Sequence, residues 1–175
     1  MKITLHTQMR DYGQMIDQII IQCDGAAPAV KAEDFRFTNC CYDLSGISPI
    51  SGVRKLEAEG STVTVTTDFF LFRLDFAIEC VHPELTVKIT KENTDHVILH
   101  HEELFQAISE NGVNYRLYRP NACGKRPLVL FLHGGGGSGE DNLAQLTDTI
   151  GAIKLAERVP DMYVMAPQAP AGGLS

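Results

Sequence analysis

Apolar and polar positions alternate in short runs through roughly the first hundred residues, the spacing of half-buried β-strands. Thr62-Val63-Thr64-Val65-Thr66 alternates cleanly, and Leu85, Val87 and Ile89 interleave with Thr86 and Lys88. Between them, Phe70, Phe72, Leu74, Phe76 and Ile78 fall on one face of a single extended segment, with Arg73, Asp75 and Glu79 on the other. This stripe predicts the core face of a sheet. Met15 to Cys23 contains Ile19-Ile20-Ile21, stops at Asp24-Gly25 and predicts another strand. Asp34-Phe35-Arg36-Phe37 and Val97-Ile98-Leu99 are shorter candidates. No convincing helix lies among them. Short strands separated by turns predict an antiparallel β-sandwich.

The pattern changes at Ser109-Glu110-Asn111-Gly112, which divides the chain into residues 1–108 and 109–175. Val113, Tyr115 and Leu117 predict a strand, and Asn121 to Arg126 a loop. Leu128 to Leu132 is apolar enough for a central strand buried on both faces of a parallel sheet. Leu143, Leu146, Ile150 and Ile153 stand at helical spacing, with Gly151 placed to interrupt the helix or split it. Met162 to Ala166 predicts a buried strand ended by Pro167. A β–loop–α–β order belongs to an α/β sheet.

A net charge of −7, with lysines and arginines scattered, argues against nucleic acid or an anionic membrane as partner. No run approaches the roughly 18 apolar residues of a membrane span. Met1 to His6 lacks the apolar core of a secretion signal. The five cysteines, Cys23, Cys40, Cys41, Cys80 and Cys123, are odd in number and form no CxxC pair. With Met1 as the start, these features predict a cytoplasmic protein with reduced thiols. Adjacent Cys40 and Cys41 point to opposite faces of an extended segment, which favours a structural role.

The candidate chemistry lies in His133-Gly134-Gly135-Gly136-Gly137-Ser138-Gly139. A Walker-type phosphate loop needs Lys where Glu140 stands. Gly134-x-Gly136-x-x-Gly139 matches the dinucleotide fingerprint literally. In that motif, however, the last glycine sits within the helix, whereas here Glu140, Asp141 and Asn142 follow as helix-capping material. The arrangement that fits best is an oxyanion loop after a buried strand, the place of the His-Gly-Gly-Gly motif of esterases and lipases. Glycine suits it because a Cβ would obstruct a substrate carbonyl.

Together with Asn114 to Pro120 and Ala166-Pro167-Gln168-Ala169-Pro170, the region resembles the start of a catalytic domain. It is similar to the polyhydroxybutyrate-depolymerase-like and EstA-like esterases of the α/β-hydrolase superfamily, specifically over residues 113–170. The resemblance implies an immunoglobulin-like β-sandwich followed by the N-terminal part of an α/β-hydrolase sheet. It also implies hydrolysis of a small ester by a Ser-His-Asp triad, with no metal or organic cofactor. Gly134, Gly135 and Gly136 become the oxyanion loop. His133 becomes a loop-orienting residue rather than the catalytic base, and Asp141 and Asn142 cap and pin the loop.

None of the seven serines, Ser138 included, lies in a Gly-x-Ser-x-Gly elbow. In the family order the whole triad would follow residue 175, which predicts a longer esterase cut at Ser175 and an inactive fragment. An incomplete sheet predicts an open edge, through which another polypeptide completes the domain or the fragment self-associates. The alternatives are a non-catalytic β-sandwich interaction module with a vestigial hydrolase segment, and dinucleotide binding through the glycines. His96, His100 and His101 with Glu102 and Glu103 suggest metal ligands at first sight. Phe105 stands where H-E-x-x-H needs its second His, and His100 and His101 alternate faces in a strand. A solvated strand end is the favoured reading there.

Overall fold

The computed structural model describes residues 1–45, 47–121 and 123–172. Ala122, inside the expected loop at 121–126, and Ser175, the expected point of truncation, lie outside the described residues. The chain divides into two compact units, Met1–Gln8 with Met15–Leu99 and Met9–Gln14 with His100–Ser175.

The first unit is built from β1 (Lys2–Arg10), β2 (Gly13–Gln22), β3 (Phe35–Thr38), β4 (Val53–Glu59), β5 (Thr62–Leu71), β6 (Ala77–His82), β7 (Leu85–Ile89) and β8 (His96–Ile98). A five-stranded sheet runs β4-β5-β2-β1-β8, and a three-stranded sheet runs β3-β6-β7. Ile3, Leu5, Ile19 and Val65 of the first share one core with Phe35, Ile78, Val87 and Ile89 of the second. Two sheets facing each other over a common core agree with the sandwich expectation.

Three details depart from it. The sandwich is not wholly antiparallel, since β8 runs parallel to β1 with Leu5 opposite Val97. Asp95 sets that register: its N–H donates to Ile3 O at 3.0 Å, and its carboxylate accepts the Ile3 N–H at 2.6 Å. The Phe70–Ile78 stripe is not one strand. β5 ends at Leu71, the chain turns, and β6 begins at Ala77 in the other sheet. Phe70 and Phe76 still meet in the core, their rings edge to face at 5.3 Å. Finally, β1 and β4 are strands that the pattern did not single out. In β1, buried Ile3, Leu5, Thr7 and Met9 alternate with more exposed residues.

The second unit contains β9 (Phe105–Glu110), β10 (Val113–Tyr118), β11 (Leu128–Leu130), α1 (Ala144–Thr147), α2 (Gly151–Arg158) and β12 (Tyr163–Gln168). Residue 108, where the sequence pattern changes, lies within β9. The sheet order is β11-β12-β10-β9, with β12 parallel to β11 and antiparallel to β10. The chain leaves β11, passes through the helices and returns to insert β12 between β11 and β10. One face of the sheet is covered: Val164 and Ala166 pack with Leu146, Ala152, Ile153 and Ala156.

Leu128–Leu132 is therefore not a central strand buried on both faces. β11 is an edge strand of three residues, with Leu128, Leu130 and Leu132 at 58%, 55% and 69% exposure. Val129 and Phe131 alone turn toward the core. β12 does not stop at Pro167 but runs to Gln168. Tyr163 N–H reaches Pro127 O, and Phe131 N–H reaches Met165 O, so residues 163, 165 and 167 face β11. β11 has ended before it reaches Pro167, so the missing proline N–H costs no ladder bond.

The helix is split as expected, but Gly151 has a further reason to be glycine. A Cβ there would lie 2.0 Å from the Phe131 ring, so α2 approaches β11 across a bare backbone.

The cysteines are free thiols, and both Cys40 and Cys41 are buried. Burial pushes the Cys40 thiol up to about 12 and the Cys80 thiol up to about 11. With reagent at pH 8, exposed Cys123 is expected to react in the native protein, and Cys40 and Cys80 only on unfolding. Mass mapping of the labelled cysteines checks this. Gly151→Ala is expected to destabilise by about 1–3 kcal/mol through overpacking. The opposite sign, a gain of up to about 1 kcal/mol, is what helix propensity alone predicts. Denaturant titration distinguishes them, and trimming Phe131 to Leu in the same chain should recover part of the loss.

Candidate functional site

β11 and β12 run parallel, so their C-terminal ends open on the same edge of the sheet. Ligands of open α/β sheets bind at such an edge. His133 and the glycines leave β11 there, and Ala169-Pro170 leaves β12. A cleft of about 380 Å³ lies between them, lined by Val113, Leu132, His133, Pro167 and Pro170 among others. A larger hollow of about 610 Å³, lined by Met9, Arg10, Ile150, Leu155 and Arg158 among others, includes no residue of the glycine loop and neither of these two strand ends.

Gly135–Gly137 form a single 3-10 turn. Gly137 N–H bonds Gly134 O at 3.0 Å, Ser138 N–H reaches Gly135 O at 3.4 Å, and Gly139 N–H bonds Ala169 O at 2.9 Å. Among the described residues, no acceptor takes the N–H of Gly134, Gly135 or Gly136. All three glycines are exposed. Gly137 is buried, and a Cβ on it would lie 2.6 Å from the His133 ring. The glycines thus divide between those that present donors and one that makes room for an imidazole.

His133 is held at both nitrogens. Ala169 N–H donates to Nε2 at 2.9 Å, which leaves the proton on Nδ1 to bond Gly134 O at 2.5 Å. The ring therefore bridges the two strand ends, with both nitrogens engaged by backbone groups.

Asp141 and Asn142 fix the far side of the loop. Asp141 Oδ1 accepts the N–H groups of Leu143 and Ala144 at 2.8 and 3.1 Å, satisfying donors at the start of α1. It also accepts Gln168 Nε2 at 2.6 Å. Burial alone would raise this carboxyl's pKa; the Gln168 amide and the two backbone N–H groups outweigh it and hold the value below the ordinary 3.8. Asn142 takes a left-handed φ of 52°, which Asn tolerates better than most residues. Its Nδ2 donates to Ile108 O at 3.0 Å and Tyr115 O at 3.3 Å, its Oδ1 accepts Gln145 Nε2, and its carbonyl accepts Arg116 Nε.

Sequence reasoning missed Gln168 as a site residue. It is buried at the end of β12, and its Oε1 accepts Asn142 N–H at 2.6 Å while Nε2 reaches Asp141 and Gly137 O. Only its place directly after a buried strand hinted at this. Arg116 was missed as well; besides Asn142 it pairs with Glu102 at 3.0 Å. The dinucleotide geometry is not formed, because Gly139 precedes the helix, which begins at Ala144 and lasts four residues.

No family model matches the chain, and no curated protein matches it. Among solved structures it is similar to a crystal structure of a thermostable esterase, at 20% identity and a TM-score of 0.58. The match covers 97% of this chain and 57% of that one, so the chain spans little more than half of the esterase's length. The likeness is one of fold. No helix among the described residues is long and apolar enough to cross a membrane.

Asp141→Ala removes an acceptor shared by three donors and is expected to cost about 0.5–2 kcal/mol at pH 7, the range of a lost helix cap. A carboxyl with a depressed pKa stabilises the fold above its unfolded value and loses that contribution as pH falls through the folded one. The gap between wild type and variant should therefore be full at neutral pH and narrow below about pH 4. Urea titrations across that range provide the check.

Proposed function

We propose that this chain is the N-terminal portion of a serine carboxylesterase. Residues 1–108 are an immunoglobulin-like β-sandwich, and residues 109–175 are the opening part of an α/β-hydrolase catalytic domain. The observation that carries the reading is the set of exposed, unpaired N–H groups at Gly134, Gly135 and Gly136, directly after a parallel strand. The sheet order β11-β12-β10-β9 and the fold likeness to an esterase support it.

In acyl transfer, attack on the ester carbonyl places negative charge on its oxygen. Preorganised N–H groups stabilise that charge more than they stabilise the ground state. Gly134–Gly136 supply donors that need no reorganisation, since His133, Gln168 and Asp141 already hold the loop. The second donor of such a hole comes from the residue after the nucleophile. The chain contains no Gly-x-Ser-x-Gly, so it contributes the oxyanion loop and none of the triad. The substrate is a small ester, and the site needs no cofactor. The bare face of the sheet, with Leu128, Leu130 and Leu132, and the open edge of β11 are where another polypeptide completes the domain or the fragment self-associates.

Residues 1–175 alone are expected to leave a short-chain p-nitrophenyl ester unhydrolysed, whereas the product of a reading frame continuing past codon 175 should hydrolyse it. In that active product Gly135→Pro deletes one donor and should lower kcat by about 10²–10³ with KM little changed. A folded, extended product without esterase activity, or an unaltered kcat in Gly135→Pro, would overturn the reading.

A further inference from the structure

Ahead of β9, the backbone does something a strand cannot. His101 takes a left-handed φ of 60°, which breaks the alternation that would send adjacent side chains to opposite faces. His100 and His101 consequently point the same way, their ring centroids 3.9 Å apart. The last turn of α2 brings Glu157 to meet them. One donor atom from each of His100, His101 and Glu157 lies within 4.8 Å of the others.

Two of the three donor spacings are close to those of a filled coordination shell, and the third lies within 4.8 Å. Glu157 Oε1 is 3.6 Å from His101 Nε2 and 3.8 Å from His100 Nε2. Donors around tetrahedral Zn²⁺, at bonds of about 2.0–2.1 Å, stand roughly 3.4 Å apart. A small contraction would close the set. Both contacts are longer than good hydrogen bonds, and an ion held by the three groups would replace them with a bond to each.

The neighbours are arranged to suit. Glu103 Oε1 lies 3.3 Å from His101 Nδ1, so it can accept that N–H and leave the Nε2 lone pair facing Glu157. A carboxylate behind a histidine is the usual support of a metal-bound imidazole. Lys154 bonds the other carboxylate oxygen, Oε2, at 2.7 Å and leaves Oε1 to the histidines. The three side chains are about a third exposed, at 30%, 37% and 27%, so water has access to a fourth position.

We propose that His100, His101 and Glu157 form a binding site for a zinc-class divalent transition-metal ion, with Glu103 as the positioning residue for His101. Two imidazoles and one carboxylate select such ions over Ca²⁺ or Mg²⁺, which take oxygen donors. The ion ties the segment leading into β9 to α2. It stands apart from the glycine loop and does not depend on the esterase reading.

The test uses the full chain, metal-free and with reduced thiols. Titration with Co²⁺ should give the visible bands of a four-coordinate ion without the near-ultraviolet charge-transfer band of a cysteine ligand, and Zn²⁺ should displace it. Paramagnetic Co²⁺ should broaden the ring resonances of His100 and His101 in the wild-type protein, a readout that needs no variant. Glu157→Gln and His101→Asn should each weaken binding at least tenfold while retaining the native circular dichroism. Glu103→Gln should weaken it by about 10–100-fold. Zn²⁺ should raise the Tm of the wild type and not of Glu157→Gln. Absence of Co²⁺ binding, a cysteine charge-transfer band, or broadening confined to other histidines would overturn the assignment.

Discussion

A run of glycines has no side chains with which to hold its own shape, so the shape must be imposed by its neighbours. Here the constraint is the buried amide of Gln168 at the end of β12, which bonds Gly137 O, Asp141 Oδ1 and Asn142 N–H at once. A buried amide left unpaired costs about 1–3 kcal/mol, and a bond to a charged partner contributes more than a neutral one. The loop, the start of α1 and the end of β12 thus sit in a single network, with Asp141 as its shared acceptor. His133 closes the other side by bridging Gly134 O and Ala169 N–H. The backbone of Gly134–Gly136 is thus held from outside the run, the kind of preorganisation the proposed oxyanion loop would need.

The same edge of the sheet is also its least finished part. Helices α1 and α2 cover one face through Leu146, Ala152 and Ile153, and Gly151 lets α2 come down onto Phe131. On the opposite face Leu128 and Leu130 stand beside Tyr163 and Met165 in register, with no covering element among the described residues. A strand at the edge of a sheet leaves one row of its backbone groups outside the ladder. Its apolar run is what a central strand requires, and its position in this chain leaves half of that character unused.

How far the sequence disclosed this depended on whether the relevant period was local. β5 and β7 were legible because alternation over five or more residues has one physical meaning, and the split at Gly151 followed from helix propensity. The Phe70–Ile78 stripe misled because two strands on opposite sheets of a sandwich both turn their apolar side to the same core, so the alternation survives the turn between them. Leu128–Leu132 misled because apolar content records what a strand can bury and not what is present to bury it. The glycines, Asp141 and Asn142 stood out through their helix-capping chemistry and their resemblance to an esterase loop. Gln168 and Arg116 did not, since a lone amide or guanidinium acquires its role only from long-range partners such as Asn142.

Histidine makes the point most sharply, because one side chain serves two purposes in one unit. At His133 each nitrogen meets a backbone group of opposite sense, a carbonyl at Nδ1 and an N–H at Nε2. Every hydrogen-bonding valence is filled by the protein, and the ring is a strut. At His101 the backbone turns left-handed, Nδ1 meets a carboxylate, and Nε2 faces a second carboxylate across a gap too wide for a hydrogen bond. That ring stands between two carboxylates, the setting in which the proposed metal ion would bind. The difference arises from what stands opposite the second nitrogen, a donor in one case and an anion in the other.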